Sequence, residues 1–440
     1  MSIVRDAGAA IGPGAAATSD LAPLKGHRLA LVLLLLAYTL SITDRMILSI
    51  LFSPIKEEFG LTDTQLGLLG GLSFALLYAT LGIPIARFAD RGNRRMIIII
   101  SLTVFSVMTV LCGLAWGLIS LIIFRIGVGI GEAGVNPSSQ SIIADYFPPQ
   151  RRAMAMSILV LGANFGMILG FISGGFISEN YGWRAAMVAV GAPGVLLAVV
   201  MYFFLKDPPR GSFEQPAKTD VPPPIYVTAK FMWANRGMRH LIAASTVSAM
   251  LAYGMGQWLP AFFIRSHELT QSQVGMLMGL VFGLFGAAGA LTGGKIADRL
   301  SIGGHHRVVW MIALTQMIGV PIMVLAFYAS GFSLAVGLFI LPAFLFNFYL
   351  GPSLALVQTL SPVRMRAVTA AIKMLCMNLV GLGLGPLLIG MLSDFLEPIY
   401  GENALRTALA FATALGFWAA FHFWLCGREI LSASSPQVER

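Results

Sequence analysis

Charge is what this sequence has least of. Asp, Glu, Lys and Arg together make up 11% of its 440 residues, against 57% hydrophobic. A soluble domain carries about a quarter charged residues, so this chain has too little polar surface to cover its apolar mass in water. That excludes a soluble globular protein and makes lipid the solvent. Cysteine is scarce too: Cys112, Cys376 and Cys426 are the three present, each inside an apolar run. A disulfide framework and a CxxC metal spacing are both excluded. The six histidines form no HExxH cluster, and the adjacent His305 and His306 fall in a polar loop. Metal or cofactor chemistry has no support, and no nucleophile–base constellation marks an enzyme. No GxxxxGK[ST] loop is present to couple the protein to nucleotide hydrolysis. An ion gradient is left as the energy source, and the expected cofactor is none.

What the chain has in abundance is long apolar runs. A helix needs about 20 apolar residues to cross a bilayer, and polar breaks divide the sequence into twelve such stretches. They cover 29–54, 65–89, 95–116, 118–144, 153–178, 184–205, 241–264, 272–297, 308–329, 333–358, 367–393 and 404–426. All are expected to be helices, because an open strand edge in lipid leaves backbone groups unsatisfied. The run after Arg28 is too long for a cleavable signal. Residues 1–28, rich in Ala, Gly, Ser and Pro, read as a disordered tail, and 427–440 as a second tail.

Basic residues orient the helices. Of the 29 Lys and Arg, 22 fall on the side that holds both termini, and only Lys56, Arg184, Arg265 and Arg406 on the other. The positive-inside rule then places both termini in the cytoplasm. The same bias accounts for the net charge of +9 without nucleic acid as a partner. The segment 206–240, with its Pro208–Pro209 and Pro222–Pro224 clusters, falls between spans six and seven, where a cytoplasmic linker between halves 29–205 and 241–426 belongs.

The halves are related. Leu61–Arg91 aligns without gaps on Leu269–Arg299, with 13 identities in 31 positions. Shared apolar letters inflate such a count, but Thr62 with Thr270, Gln65 with Gln273 and Asp90-Arg91 with Asp298-Arg299 do not arise from hydrophobicity. Both copies run in the same direction, which implies parallel repeats about an axis along the membrane normal, with a binding site between them.

The loop Ala86-Arg87-Phe88-Ala89-Asp90-Arg91-Gly92-Asn93-Arg94-Arg95 resembles the cytoplasmic signature of the major facilitator superfamily, G-x3-D-R-x-G-R-R. Ala86 and Asn93 depart from it, and Asn93 is expected to keep the turn because Asn tolerates left-handed backbone. Thr43-Asp44-Arg45, Arg125…Gly131-Glu132-Ala133 and Asp145-Tyr146-Phe147-Pro148…Arg151-Arg152 are most similar to the Spinster-type lipid transporters. The resemblance implies an all-α membrane protein of twelve transmembrane helices in two pseudo-symmetric six-helix bundles, working as a monomer. It also implies that, when the cytoplasmic side is closed, Asp90 lies near the start of span eleven, where Asp90, Arg91, Arg94, Asp145 and Arg151 would form a cytoplasmic gate latch. A solvated loop that only sets topology is the alternative.

Four charges, Asp44, Arg45, Arg125 and Glu132, lie inside spans one and four, and burying each costs on the order of 2.5–3.5 kcal/mol. At 1.5 Å per residue, Asp44 lies roughly 22 Å from the cytoplasmic start of span one and Arg125 roughly 10 Å below the outer surface, depths that nearly coincide and allow pairing. Glu132, seven residues beyond Arg125, shares its helix face. A carboxyl between burial and an Arg can change protonation as a cavity alternates. Glu132 is therefore the expected proton carrier with Asp44 coupled to it, and Arg45 and Arg125 the counter-ions or grip on an anionic head group. A static packing network is the competing reading. Gly127, Gly129, Gly131, Gly134 and Pro137 are read as packing residues of span four.

The second half offers Tyr253, Gln257, Trp258, Asn347, Tyr349 and Gln358 and no mid-membrane charge. Lys373 is placed near the cytoplasmic end of span eleven, where it can snorkel to water. One charged half facing one aromatic half suits an amphipathic substrate such as a lysolipid or sphingoid, moved with protons through a bacterial inner membrane. A small organic anion such as a sugar acid is the alternative, and a receptor or channel is disfavoured for want of gating or filter motifs.

Overall fold

A computed structural model of the chain describes residues 22–89, 92–213 and 223–434. Among these, every regular element is helical. The first half comprises α1 (His27–Ile50), α2 (Asp63–Gly70 continued by Leu72–Ala89), α3 (Arg94–Gly113) and α4 (Leu118–Glu132 continued by Val135–Tyr146). A continuous stretch Pro149–Phe204 follows, broken at Gly182, whose φ of 85° is open to glycine alone at little cost. The break divides it into α5 (149–181) and α6 (183–204).

The second half comprises α7 (Arg236–His267), α8 (271–301), α9 (His305–Phe327) and α10 (332–359). The chain turns again at Gly401, separating α11 (363–400) from α12 (Ala404–Ser434). Helix α7 thus starts at Arg236, and the linker before it carries a short helix, Ile225–Ala234. At mid-length α8 and α11 carry π-helical stretches, Gly279–Phe285 and Met377–Leu384, and α10 a 3₁₀ stretch, Phe346–Tyr349.

The repeat seen in the sequence has a structural cause. Thr62 accepts a hydrogen bond from the Gln65 amide at 3.2 Å while Gln65 Oε1 accepts one from the Thr62 amide at 3.0 Å. Thr270 and Gln273 repeat this reciprocal cap at 3.4 and 3.0 Å. The matched letters are the capping boxes that start α2 and α8. Asn93 behaves differently from the expectation. It is extended at φ −80° and caps α3 by accepting from the Met96 amide at 3.0 Å, so no left-handed residue is needed there.

The start of α1 and the end of α12 lie on one face of the bundle, the terminal face. Toward the opposite face the halves share one apolar core, which includes Phe52, Leu66 and Phe171 with Trp258, Phe262 and Leu409. Toward the terminal face the two remaining clusters are built almost wholly from one half each, with Leu382 of α11 the buried second-half member of the first-half cluster. The closest packing between halves follows the same division: α2 lies on α11, α5 on α8 and α1 on α7. The exterior is apolar and carries exposed Trp116 and Tyr181 at one end and Tyr226 and Trp233 at the other, the amphipathic rings expected at two membrane–water boundaries.

Candidate functional site

The mid-membrane charges of the first half form two ion pairs. Arg125 of α4 donates to Asp44 Oδ2 of α1 at 2.9 Å, and the Thr109 hydroxyl of α3 donates to the other oxygen of Asp44. Arg45 of α1 reaches Glu132 Oε2 of α4 with both Nε and Nη2 at 2.6 Å, and Ser41 Oγ donates to the same oxygen at 2.8 Å. Neighbours on a helix point about 100° apart, so Asp44 and Arg45 turn to different partners on one helix. Asp44, Arg125 and Glu132 are at most 2% exposed, whereas Arg45 keeps 9%.

Phe74 of α2 joins the two pairs. Its ring centre lies 5.0 Å from the Arg45 guanidinium carbon and 5.2 Å from that of Arg125. Tyr78 stacks on Phe74 at 5.2 Å and comes within 4.3 Å of Arg45. Two cations facing one aromatic ring gain attraction without an added charge. Gly129 allows the approach: a Cβ there would meet the Phe74 carbonyl oxygen at 2.5 Å. Glu132 Oε1 and Arg125 Nε are buried and make no hydrogen bond.

Next to this network lies a cavity of about 230 Å³. Its wall is mainly second-half: Tyr253, Gln257, Phe346, Asn347, Tyr349 and Met377 among others, closed from the first half by Met46, Met167 and Phe171. Asn347 donates to its own helix at Ala343, while Gln257 Oε1 and Ser248 Oγ are buried without partners. Tyr253, Gln257 and Asn347 thus share one cavity, and Arg45 stands beside it through its neighbour Met46. Trp258 does not join them; it donates to the Pro386 carbonyl at 2.8 Å within the core. Gln358 is exposed toward the terminal face.

Two of the residues expected in the gate latch, Arg94 and Asp145, are paired with each other. Asp90 and Arg91 lie outside the described residues. Arg94 is buried and bonded to Asp145, to Asp207 at 2.7 Å and to the Pro208 carbonyl at 2.8 Å, and Asp145 accepts from the Gly211 amide at 3.0 Å. All these groups belong to the first half and the start of the linker, so Arg94 and Asp145 do not reach α11. Asp207, just past α6, satisfies Arg94 locally. Arg151 is exposed at the start of α5.

The contact that bridges the halves is on the opposite face, and the sequence reading missed it. Asp63, at the start of α2, receives two bonds from Arg265 of α7 at 2.8 and 2.9 Å, one from Lys56 at 2.6 Å and one from Ser393 of α11 at 2.7 Å. Asp394 of α11 accepts in turn from the Asp63 and Thr64 amides at 2.9 and 2.7 Å. The available signal was that Lys56 and Arg265 are two of only four basic residues on that side. Nearby, hydrogen bonds from Arg184 and then Trp183 hold the exposed Glu58 carboxyl below its ordinary pKa. Lys373 is a second correction. It is 1% exposed and donates to Ser353 Oγ of α10 at 2.6 Å instead of reaching water.

Twelve helices in two repeats, a cavity between them and a seal at one face define a membrane transporter, and the chain belongs to the Major Facilitator Superfamily, whose pattern matches residues 34–386. It is a multi-pass integral membrane protein and not an enzyme. Among solved structures, a bacterial homolog to the human lysosomal transporter Spinster matches at a TM-score of 0.86 and 29% identity, covering 94% of this chain and 99% of that one. That structure is inward-facing and unoccupied. A Mycolicibacterium smegmatis "MFS-type efflux pump" is 33% identical over 403 residues, which span 90% of this chain and 92% of the relative. Protein spinster homolog 1 of Xenopus tropicalis is 25% identical over 84% of this chain and 74% of its own. A probable L-galactonate transporter of Escherichia coli is 27% identical, over 62% of each chain.

Proposed function

We propose that this protein is a proton-coupled secondary transporter of an amphipathic, lipid-like molecule of the lysolipid or sphingoid type, working by alternating access. The observation that carries the reading is the paired network around Phe74 set against an uncharged aromatic cavity. A head group is drawn to Arg45, which alone of the four charges keeps some exposure, while an acyl or sphingoid chain suits the Met- and Phe-lined wall. Glu132 is the proton carrier. Its Oε2 is occupied by Arg45 and Ser41, and Oε1 has no partner, so a proton added at Oε1 breaks no hydrogen bond and neutralises the charge that holds Arg45. Released from Glu132, Arg45 is free to take an anionic group. Asp44 keeps Arg125 compensated and couples to Glu132 through the shared Phe74 face.

The seal at Asp63, with terminal-face cores that meet only at Leu382 and Tyr253, corresponds to a state open toward the terminal face. The basic bias assigns that face to the cytoplasm of a bacterial inner membrane. The protein then works as a monomer whose halves, 29–205 and 241–426, rock about a linker at 206–240, with protons, substrate and membrane lipids as partners and no nucleic acid.

A small organic anion such as a sugar acid is a second reading, favoured by Arg45 beside the cavity and by the E. coli relative's name. Proteoliposomes loaded with a pH dye separate the two. Proton flux triggered by a lysolipid and abolished in Glu132→Gln is the expected result. Flux with galactonate alone would select the second reading, and lysolipid-driven flux that survives in Glu132→Gln would remove Glu132 from the mechanism.

A further inference from the structure

The two halves treat their buried cations differently. In the first half each buried arginine has a buried carboxylate. In the second half Lys373 is 1% exposed, and the hydrogen bond to Ser353 Oγ at 2.6 Å is its one polar contact among the described residues. An ammonium offers three N–H donors, so two are unused.

Among the described residues the surroundings supply no counter-charge. The segment Arg366–Cys376 of α11 packs on Leu350–Thr359 of α10, on α7, on Ile225–Ala234, on the turn Val363–Met365 and on the π stretch Met377–Leu384. None of these elements contains an Asp or Glu; the ionisable residues they carry are Lys, Arg, His and Tyr. A cation buried among apolar groups with one neutral partner is costly, and nothing in the packing of α11 requires one, since a Leu or Met fills the same volume.

Position links this amine to the cavity. Met377 lies one helical turn beyond Lys373, and Tyr349 one turn before Ser353; both line the cavity wall. Ser353 Oγ in turn donates to the carbonyl of Leu350, another lining residue, at 3.2 Å. The amine stands one turn behind the wall, on its terminal-face side.

We propose that Lys373 and Ser353 form an anion subsite of the second half, which takes the carboxylate or phosphate oxygens of the transported molecule as it leaves or enters past Tyr349 and Met377. The substrate supplies the negative charge that the bundle withholds, and the ammonium contributes its two unused donors. The molecule then passes between two cationic stations, Arg45 in the first half and Lys373 in the second. This rests on the transport reading above but not on whether the substrate is a lipid.

The test is radioligand binding to the full-length protein in nanodiscs, with three probes: lysophosphatidate, the uncharged monoacylglycerol of the same chain length, and galactonate. Lys373→Met keeps the shape and removes the charge; Lys373→Arg keeps the charge. The expected result is lysophosphatidate binding at least tenfold weaker in Lys373→Met, largely restored in Lys373→Arg, with monoacylglycerol binding unchanged. Unchanged lysophosphatidate binding in Lys373→Met overturns the subsite. Equal loss of both lipids also overturns it, because it shows a damaged pocket. If the wild type binds galactonate and no lysolipid, a tenfold loss in Lys373→Met keeps the subsite and removes the lipid reading, while an unchanged affinity overturns the subsite. A wild type that binds none of the three overturns both.

Discussion

Arg265 grips Asp63 with two hydrogen bonds of 2.8 and 2.9 Å, joining α7 of one half to the start of α2 in the other across 202 residues of sequence. Asp63 is the hub of that face, since Lys56 and Ser393 also converge on it. A contact that exists in one state of a two-state transporter biases the equilibrium by its own free energy. A hydrogen bond to a charged group contributes about 1.5–3 kcal/mol, and Arg265 is partly exposed, which screens it.

Arg265→Ala is therefore expected to shift the conformational equilibrium by roughly tenfold, or about 1.4 kcal/mol, toward the form open on the opposite face. Spin labels at Trp116→Cys and Ile399→Cys, both exposed on that face, report it as a longer and broader distance distribution. A distribution identical to that of the unmutated pair of labels would show that the apolar core alone holds the seal.

Asp44 and Arg125 make a stability prediction. Removing one partner leaves the other charged and buried, at a cost of about 3–5 kcal/mol, whereas replacing both with apolar residues is often neutral. Arg125→Met is expected to lower the thermal unfolding midpoint clearly, and Asp44→Leu with Arg125→Met to recover most of the loss. Recovery of stability without recovery of transport assigns the pair to function; recovery of both makes it packing.

Phe74→Leu tests the ring shared by Arg45 and Arg125. Cation–π attraction contributes about 0.5–2 kcal/mol, more where water is excluded, and a leucine preserves most of the apolar bulk. Destabilisation in that range is expected on top of the small cost of the volume change. In a Glu132→Gln background the effect of Phe74→Leu is expected to change, because Arg45 no longer has its carboxylate. Strict additivity of the two substitutions would separate the ring from the ion pairs.

Gly129→Val is expected to be severe. The added carbon meets the Phe74 backbone carbonyl at 2.5 Å, which a rotamer change cannot relieve. Overpacking of this kind typically costs about 1–3 kcal/mol. Gly117→Ala, where an added carbon has nothing within 4 Å, serves as the control, and melting of both proteins in detergent checks the contrast.

Much of this arrangement could be read from the residues. The spans were legible because lipid admits only helices, and the linked halves because Thr62/Gln65 and Thr270/Gln273 are polar letters with a fixed job. Asp44 and Arg125 could be matched by depth, since few charges at that level compete for partners. The Arg45–Glu132 pair was only half legible: the helical angle between Asp44 and Arg45 says they diverge but does not say where each ends. Arg94 could be grouped with Asp145, but its further partner Asp207 could not be read, because it lies beyond a span and only folding brings it back. Lys373 was misread because depth along α11 was taken as the deciding variable, whereas the face that meets α10 decides its burial. The Asp63–Arg265 contact was only hinted at by the scarcity of basic residues on its face, since sequence does not state which conformation is populated.

The π stretch Met377–Leu384 has a consequence for how α11 can move. Its hydrogen bonds skip one residue further than those on either side, so the helix carries no continuous α ladder from end to end. Ser393 on one side of it touches the Asp63 seal, and Lys373 on the other touches α10. The helix is two α-helical rods joined by a π-helical stretch. One rod can stay docked while the other swings, so the two doors of the passage need not be driven by a single rigid lever.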